Sequence, residues 1–442
     1  MRYWCALAWL GGEAAAERVL IDVDGERIAE VTADVDPPPD AERLAGLTLP
    51  GFANAHSHAF HRALRGRAQG GRGDFWSWRE RMYALAGRLD PDSYRSLARA
   101  TFAEMALAGM SSVGEFHYLH HGPGGEPYDD PNEMGRVLIE AAREAGIRIT
   151  LLDTCYLHGG INAPPDEVQR RFADADAEVW AERVDRLESQ QDARIGAAIH
   201  SVRAVDPESA AKVAARAAAG KLPLHSHVSE QPAENEACRA AYAKTPTELL
   251  SEAGAIDARF TAVHATHLSG PDIRLLGAAG ATCCLCPTTE RDLADGIGPA
   301  RALRDAGAEL ALGSDSHAVI DQLEEARAME LDERLASGER GRHTAEDLLR
   351  AATTAGHAAL GWPEAGRLEA GALADLVTLD LESVRLAGTS AGGVLDAAVF
   401  AASATDVKSV VVGGRRVVED GRHLEFDVAS ELAGAIDRIW GA

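Results

Sequence analysis

Residues 47–65 read LTLPGFANAHSHAFHRALR. The stretch opens as an apolar strand and runs on to His56-Ser57-His58. Residues i and i+2 of a strand project from the same face, so two imidazoles one residue apart are able to grip a single metal ion. An ordinary polar strand end can carry the same letters, and the pair alone decides nothing. What decides is the rhythm that starts here. Apolar runs recur at GMSSVGEFHY (109–118), RITLLDTCY (148–156), ARIGAAIHSV (193–202), LPLHSHVSE (222–230), RFTAVHATHL (259–268), GATCCLCPT (280–288) and ELALGSDS (309–316), which makes eight with 47–58. Helical patterns separate them. Three begin with Asp-Pro, at Asp90-Pro91, Asp130-Pro131 and Asp206-Pro207, and stop at Gly109, Gly146 and Gly220. Aspartate as N-cap, proline in the first turn and glycine at the end are the expected helix punctuation.

Alternating β and α units imply an α/β fold with a parallel sheet, and eight of them suggest a closed (β/α)8, or TIM, barrel. From pattern alone a doubly wound open sheet is the alternative. Before the barrel, residues 1–49 read as short strands with turns at Gly11-Gly12 and Asp24-Gly25, then a proline-rich connector, DPPPDAERLAG (36–46). After about residue 370 the texture returns to β, in GALADLVTLDL and VKSVVVGGRRVVEDGRH, and ends on a helix, VASELAGAIDRIW. We therefore expect a catalytic barrel over 50–370 and a small β-sandwich built from both chain ends, 1–49 and 371–442. One connection is oversized, from His158 to Asp192, a length that suits either a lid over the barrel mouth or plain decoration.

Composition narrows the function. A formal charge of −25 over 442 residues argues against nucleic acid, whose phosphates need basic patches. Any arginine that meets an anionic substrate must then act at short range. No stretch has the length and apolarity of a membrane span, and the short apolar run at the N-terminus leads into strands rather than a cleavage site. Six cysteines lack paired spacing, and Cys283, Cys284 and Cys286 sit in an apolar run, so they read as buried strand residues rather than a zinc knuckle. This suits a reducing cytoplasm. A homodimer is the default assembly.

Barrel enzymes keep their chemistry at the C-terminal ends of the strands. There the chain places His56 and His58 on strand one, His225, His227 and Glu230 on strand five, His264 and His267 on strand six, and Asp315 on strand eight. These are donors that zinc or iron takes. Periodicity leaves His225 and His227 on one face, and does not choose between them.

This set resembles the amidohydrolase superfamily over nearly the whole chain, down to GALADLVTLD (371–380), which is similar to the family's return strand. Two-metal members carry a lysine on strand four. Here that strand reads IGAAIHSVRA, without one, so the resemblance implies a single ion. His227-x-x-Glu230 is similar to the deaminase branch. The blocks HAFHRALRG, FWSWRERMY, EFHYLHH, HSVRAV, HVSEQ, VHATH and GSDSH resemble the formimidoylglutamate deiminase family of histidine degradation.

The resemblance implies hydrolysis of N-formimidoyl-L-glutamate to N-formyl-L-glutamate and ammonia. It implies one Zn2+, with Fe or Mn as substitutes, held by His56, His58, His227 and Asp315. Glu230 would carry protons, Asp315 would take one from water, and His264 would steady the reacting centre. His264 is chosen over His267 by resemblance only. Arg79 in FWSWRERMY (with Arg81 as its rival), Tyr118, His200, Arg203 and His61 would bind substrate, Arg203 as a bidentate clamp on a carboxylate. His61 departs from the family pattern HSHAFQR, which has glutamine there. TTERDLADG (288–296) resembles a loop that encloses substrate, and equally suits an ion-paired surface turn. Rival readings are a deaminase of guanine, of an adenosine-like ring or of a chlorotriazine, and a non-catalytic metal-binding scaffold.

Overall fold

The computed structural model describes residues 1–70 and 75–441. Strands β1 (Arg2–Ala8), β2 (Ala16–Asp24), β3 (Arg27–Thr32) and β4 (Glu42–Pro50) come first. Eight barrel strands follow: β5 (Phe52–Ser57), β6 (Met110–His117), β7 (Arg148–Cys155), β8 (Ala193–Ile199), β9 (Leu224–Val228), β10 (Phe260–His264), β11 (Thr282–Leu285) and β12 (Glu309–Leu312). They pair in sequence order, each parallel to the next. All are buried apart from scattered residues, as strands covered on both faces must be.

The ring closes between its first and last strands by a short seam. Ser57 bridges to Asp315 in parallel sense, Asp315 N donates to His56 O at 3.0 Å, and His58 N donates to Asp315 O at 3.3 Å. Below this, Asn54 Nδ2 donates to Ser314 Oγ at 2.6 Å, and Gln322 Nε2 donates to Ala53 O at 2.6 Å and to Leu312 O at 3.2 Å. Gly313 lets the two strands come this near, because a Cβ there would stand 2.7 Å from His56 Cβ and 2.9 Å from His56 O.

The expected single strand over 47–58 is two. LTLP ends β4, in the outer sheet, and FANAHS is β5, in the barrel. Between them Gly51 turns the chain where a side chain would collide with Ser111. The proline-rich connector is also shorter than expected, since β4 begins at Glu42. Strands β13 (Leu376–Leu379), β14 (Val407–Val412), β15 (Arg415–Glu419) and β16 (Arg422–His423) return to β4, with β13 antiparallel to it. The chain ends thus share one eight-stranded sheet, in the order β16-β15-β14-β13-β4-β1-β2-β3. It curls so that Arg27 bridges to Leu373, over a small core that includes Tyr3, Ile21, Ile28 and Leu376. Arg148 at the start of β7 donates to Asp375 at 2.5 Å, a buried pin between barrel and sheet.

Among the helices, α1 (Phe75–Ala86) precedes α2 (Pro91–Leu107), which Asp90 caps as expected by accepting from Ser93 N at 2.8 Å. In α3 (Glu133–Glu144) the cap position falls on Asn132, and Asp130 instead accepts from Asn132 N and Arg136 Nε. Two residues of turn, Pro131 and Asn132, thus precede that helix, which starts two residues later than its Asp-Pro opening suggested. After α4 (Ala177–Val184) comes α5 (Pro207–Gly220), capped by Asp206. Gly109 and Gly146 take the left-handed conformation that ends a helix, but at α5 that turn falls on Lys221, one residue past the expected Gly220. Next is α6 (Pro232–Tyr242), directly after Glu230. The helix Val428–Trp440 packs against α2, and its Trp440 Nε1 donates to Ala63 O, in the short helical turn Ala59–Leu64, at 3.1 Å.

Candidate active site

Barrel closure brings the side chains at the C-terminal strand ends together. His56 Nε2 and His58 Nε2 each lie 3.3 Å from Asp315 Oδ1, and His227 Nε2 lies 3.2 Å from His56 Nε2. His264 Nε2 stands 3.9 Å from Asp315 Oδ2 and 3.7 Å from Glu230 Oε1. All six residues are buried. The backbone takes the left-handed region at Ser229, His264, Ala265, Asp315 and His317, none of them glycine. Strain of this kind gathers at functional sites, where the surrounding fold holds it.

The protons tell what such a cluster lacks. His58 Nδ1–H donates to Phe116 O at 2.9 Å, and His227 Nδ1–H donates to His200 O at 2.8 Å. Burial holds His56 down to about 3, lowers His58 and pushes His227 well below the usual imidazole range. A neutral imidazole has one N–H, so the Nε2 of His58 and of His227 offers a lone pair inward. Burial works against the charge on Asp315, yet the surrounding histidines hold its carboxyl well below the usual range. The Nε2 lone pair of His58 thus faces an Asp315 carboxylate oxygen with no proton between them, and that of His227 faces His56 Nε2. A cation at their centre resolves this, and the outer carbonyls fix the rings as in known metal sites. His56–His58–Asp315 and His56–His227–His264 both have donor atoms close enough for one ion.

A cavity of about 290 Å³ opens onto this centre and is lined by His58, His227, Glu230 and Asp315. The residues expected to bind substrate also line it: His61, Arg79, Tyr118, His200 and Arg203. His61 Nε2 and the Tyr118 hydroxyl are 3.1 Å apart. Arg79 stacks over Trp76 and Tyr83, with its guanidinium carbon 5.0 and 5.1 Å from the ring centres, while Arg81 is exposed and donates to Arg67 O. Arg203 Nη2 donates to Glu230 Oε2 at 3.2 Å. From the long connection, His158 to Ile161 reach the cavity wall.

The competing histidines lie elsewhere. His225 points to Ala359 O at 3.0 Å, and His267 to Asp295 O at 2.7 Å. The TTERDLADG segment divides: Glu290 is buried with its Oε1 3.3 Å from His264 Nδ1, and Arg291 faces Glu324 and Asp332. Burial alone would lower His264, but Glu230, Glu290 and Asp315 raise it to about 10.

Four groups escaped the sequence reading. Glu115 accepts from Ser57 Oγ at 2.6 Å and Ala59 N at 2.7 Å, and burial pushes its carboxyl up to about 8. His317 sits between Ser57 Oγ at 3.1 Å and Ser314 Oγ at 2.9 Å. Glu234 lines the cavity and accepts from Glu230 N at 3.2 Å. Asp295 is buried and accepts from Gln231 Nε2. Glu115, His317 and Asp295 lie in EFHYLHH, GSDSH and TTERDLADG, segments with no role given to these residues, and Glu234 stands one helical turn after Glu230.

Comparison with known proteins adds the following. The family model described as "Amidohydrolase family" matches residues 47–417. A formimidoylglutamate deiminase of Pseudomonas aeruginosa is 40% identical over 426 residues, 93% of each chain. A 5-methylthioadenosine/S-adenosylhomocysteine deaminase of Natronomonas pharaonis is 31% identical over 95% of this chain and 91% of its own. The crystal structure of an amidohydrolase from Brucella melitensis superposes with a TM-score of 0.92 at 36% identity, over 99% of both chains.

Proposed function

Since the chain belongs to the amidohydrolase family, we propose that it is a metal-dependent deiminase that hydrolyses N-formimidoyl-L-glutamate to N-formyl-L-glutamate and ammonia. The observation that carries this reading is one cavity that joins the His56–His58–His227–Asp315 centre to two arginines, Arg79 and Arg203. A small dianion needs both a reacting centre and fixed cations. The 40% identical Pseudomonas relative supports the substrate.

His56, His58, His227 and Asp315 would hold one Zn2+, or Fe or Mn in its place. Such an ion, when bound, supplies a Lewis acid and lowers the pKa of water to about 7. Asp315 accepts the proton that water gives up on adding to the formimidoyl carbon. Glu230, beside His264, passes the proton taken from water, and then the one on the new hydroxyl, to the imino nitrogen, so that ammonia can leave and the formyl C=O forms. His264 donates toward the oxygen of the tetrahedral centre. Arg79, Arg203, His61, Tyr118 and His200 seat the glutamyl part and keep the carbon in place. The enzyme would work in the cytoplasm, as a homodimer, without nucleic acid or membrane.

Release of ammonia from N-formimidoyl-L-glutamate by purified, metal-quantified protein tests this. We expect turnover that falls with chelation and returns with Zn2+. A second reading has its own support: Phe75, Trp76, Trp78 and Tyr83 make part of the wall aromatic, which suits a flat ring, and the Natronomonas relative is named for adenosine-like compounds. Ammonia from methylthioadenosine or a guanine, with none from the formimidoyl compound, would favour it.

A further inference from the structure

Arg203 stands between two carboxylates. Its Nη2 donates to Glu230 Oε2 at 3.2 Å. Glu234 also acts on its charge, from beyond ion-pair distance. Glu234 sits in the first turn of α6, and its Oε2 reaches back to the N–H of Glu230 at 3.2 Å, as a capping glutamate does. Its Oε1 is buried without a hydrogen-bond partner among the described residues, and so is Arg203 Nε. All three side chains line the cavity.

A guanidinium holds a carboxylate best through two neighbouring nitrogens. In the resting site that fork is half used, with Nε idle and Nη2 on Glu230. A ligand carboxylate that enters from the cavity meets the Nη1–Nη2 edge of the guanidinium and competes there for the Nη2 that Glu230 holds. It would also bring a third anion to one cation. Glu230 has somewhere to go, since its Oε1 already faces His264 Nε2 at 3.7 Å.

We propose that Arg203 is an exchange point: it holds Glu230 in the empty site, and a carboxylate of the ligand displaces Glu230 toward His264 and the reacting nitrogen. Ligands without that carboxylate leave Glu230 tied, so recognition of the anion and readiness of the proton carrier become one event. The inference rests on the deiminase reading for its substrate, but the displacement itself is open to any small dicarboxylate.

Glutarate, titrated calorimetrically into metal-loaded wild type, Glu230→Gln and Glu234→Gln, tests it. The titration is run at pH 8.5, above the value of about 7 to which burial lifts Glu234. Displacement predicts that Glu230→Gln binds glutarate about tenfold more tightly than wild type, and Glu234→Gln by less than about threefold, because only Glu230 occupies the contested nitrogen. Summed charge alone predicts similar gains in the two variants, since both carboxylates act on the Arg203 charge. An equal or larger gain in Glu234→Gln, no gain in Glu230→Gln, or no binding of glutarate to any of the three would overturn the proposal. Unfolding of a variant is excluded by far-UV circular dichroism, and Glu230→Asp, which keeps the charge on a shorter arm, should fall between wild type and Glu230→Gln. Titration needs no turnover. Absence of ammonia from N-formimidoyl-L-glutamate would therefore count against the deiminase reading, and glutarate results against the exchange.

Discussion

Glu230 touches both Arg203 and His264 but none of the four converging donors. Replacing it with glutamine should therefore leave bound metal near one equivalent while ammonia release falls by about 10³-fold or more. Metal analysis beside a turnover assay checks this, and loss of metal would move Glu230 into the ligand set. The same residue shows what was legible in the sequence. His56 and His58 announced themselves by strand spacing, and Glu230 by its distance from His227. Glu115 and His317 fall in the EFHYLHH and GSDSH blocks, but no spacing gave either a role. Each is a single polar letter, one inside an apolar run and one after a loop, and only the closed fold sets both against Ser57. His225 and His227 share a strand face, so no periodicity separates them. The height of each along the barrel does, with His225 bonded to Ala359 O and His227 beside His56.

Helices and strands were read where their punctuation is local. Asp90 and Asp206 cap as written, because an N-cap needs only the next three residues. The break at Gly51 was missed, because it depends on Ser111 from a different strand. A similar non-local joint lies behind β6 and β7. Arg183 of α4 forks onto Asp153 at 2.7 and 2.9 Å, and onto Asp174 at 2.9 Å. Burial alone would raise Asp174, but the hydrogen bond from His121 and the charge of Arg183 outweigh it and hold the carboxyl down to about 2. A carboxyl whose pKa is depressed in the folded chain gives stability above its ordinary value, and that stability is lost as pH falls through the depressed one. As pH drops from about 4 toward 2, wild type should lose about 2 kcal/mol that Asp174→Asn does not have to lose. Urea unfolding of both proteins across that range should show the gap between them narrowing.

The barrel and the curled sheet meet at a pinned junction, and the proposed place of the ion is at the opposite end, on the seam. Removing the ion leaves inward lone pairs and the Asp315 carboxylate facing one another without a proton between them. Chelated protein should accordingly melt at least about 5 °C below the metal-loaded form, reversibly on adding Zn2+, by scanning calorimetry. The eight-fold alternation of apolar runs made the barrel legible, since each run needs only its own composition. That both chain ends share one sheet was legible only as a change of texture, and the pairing of β13 with β4 was not written in either segment. The seam has a further bearing on how the molecule comes into being. Partners there are separated by 260 positions of chain, as Asn54 and Ser314 are. A growing polypeptide that has made only its first histidines offers two donors and an unclosed edge. On the proposed ligand set it would grip metal tightly only once Asp315 has docked beside His56, so that loading of the ion would report a closed barrel.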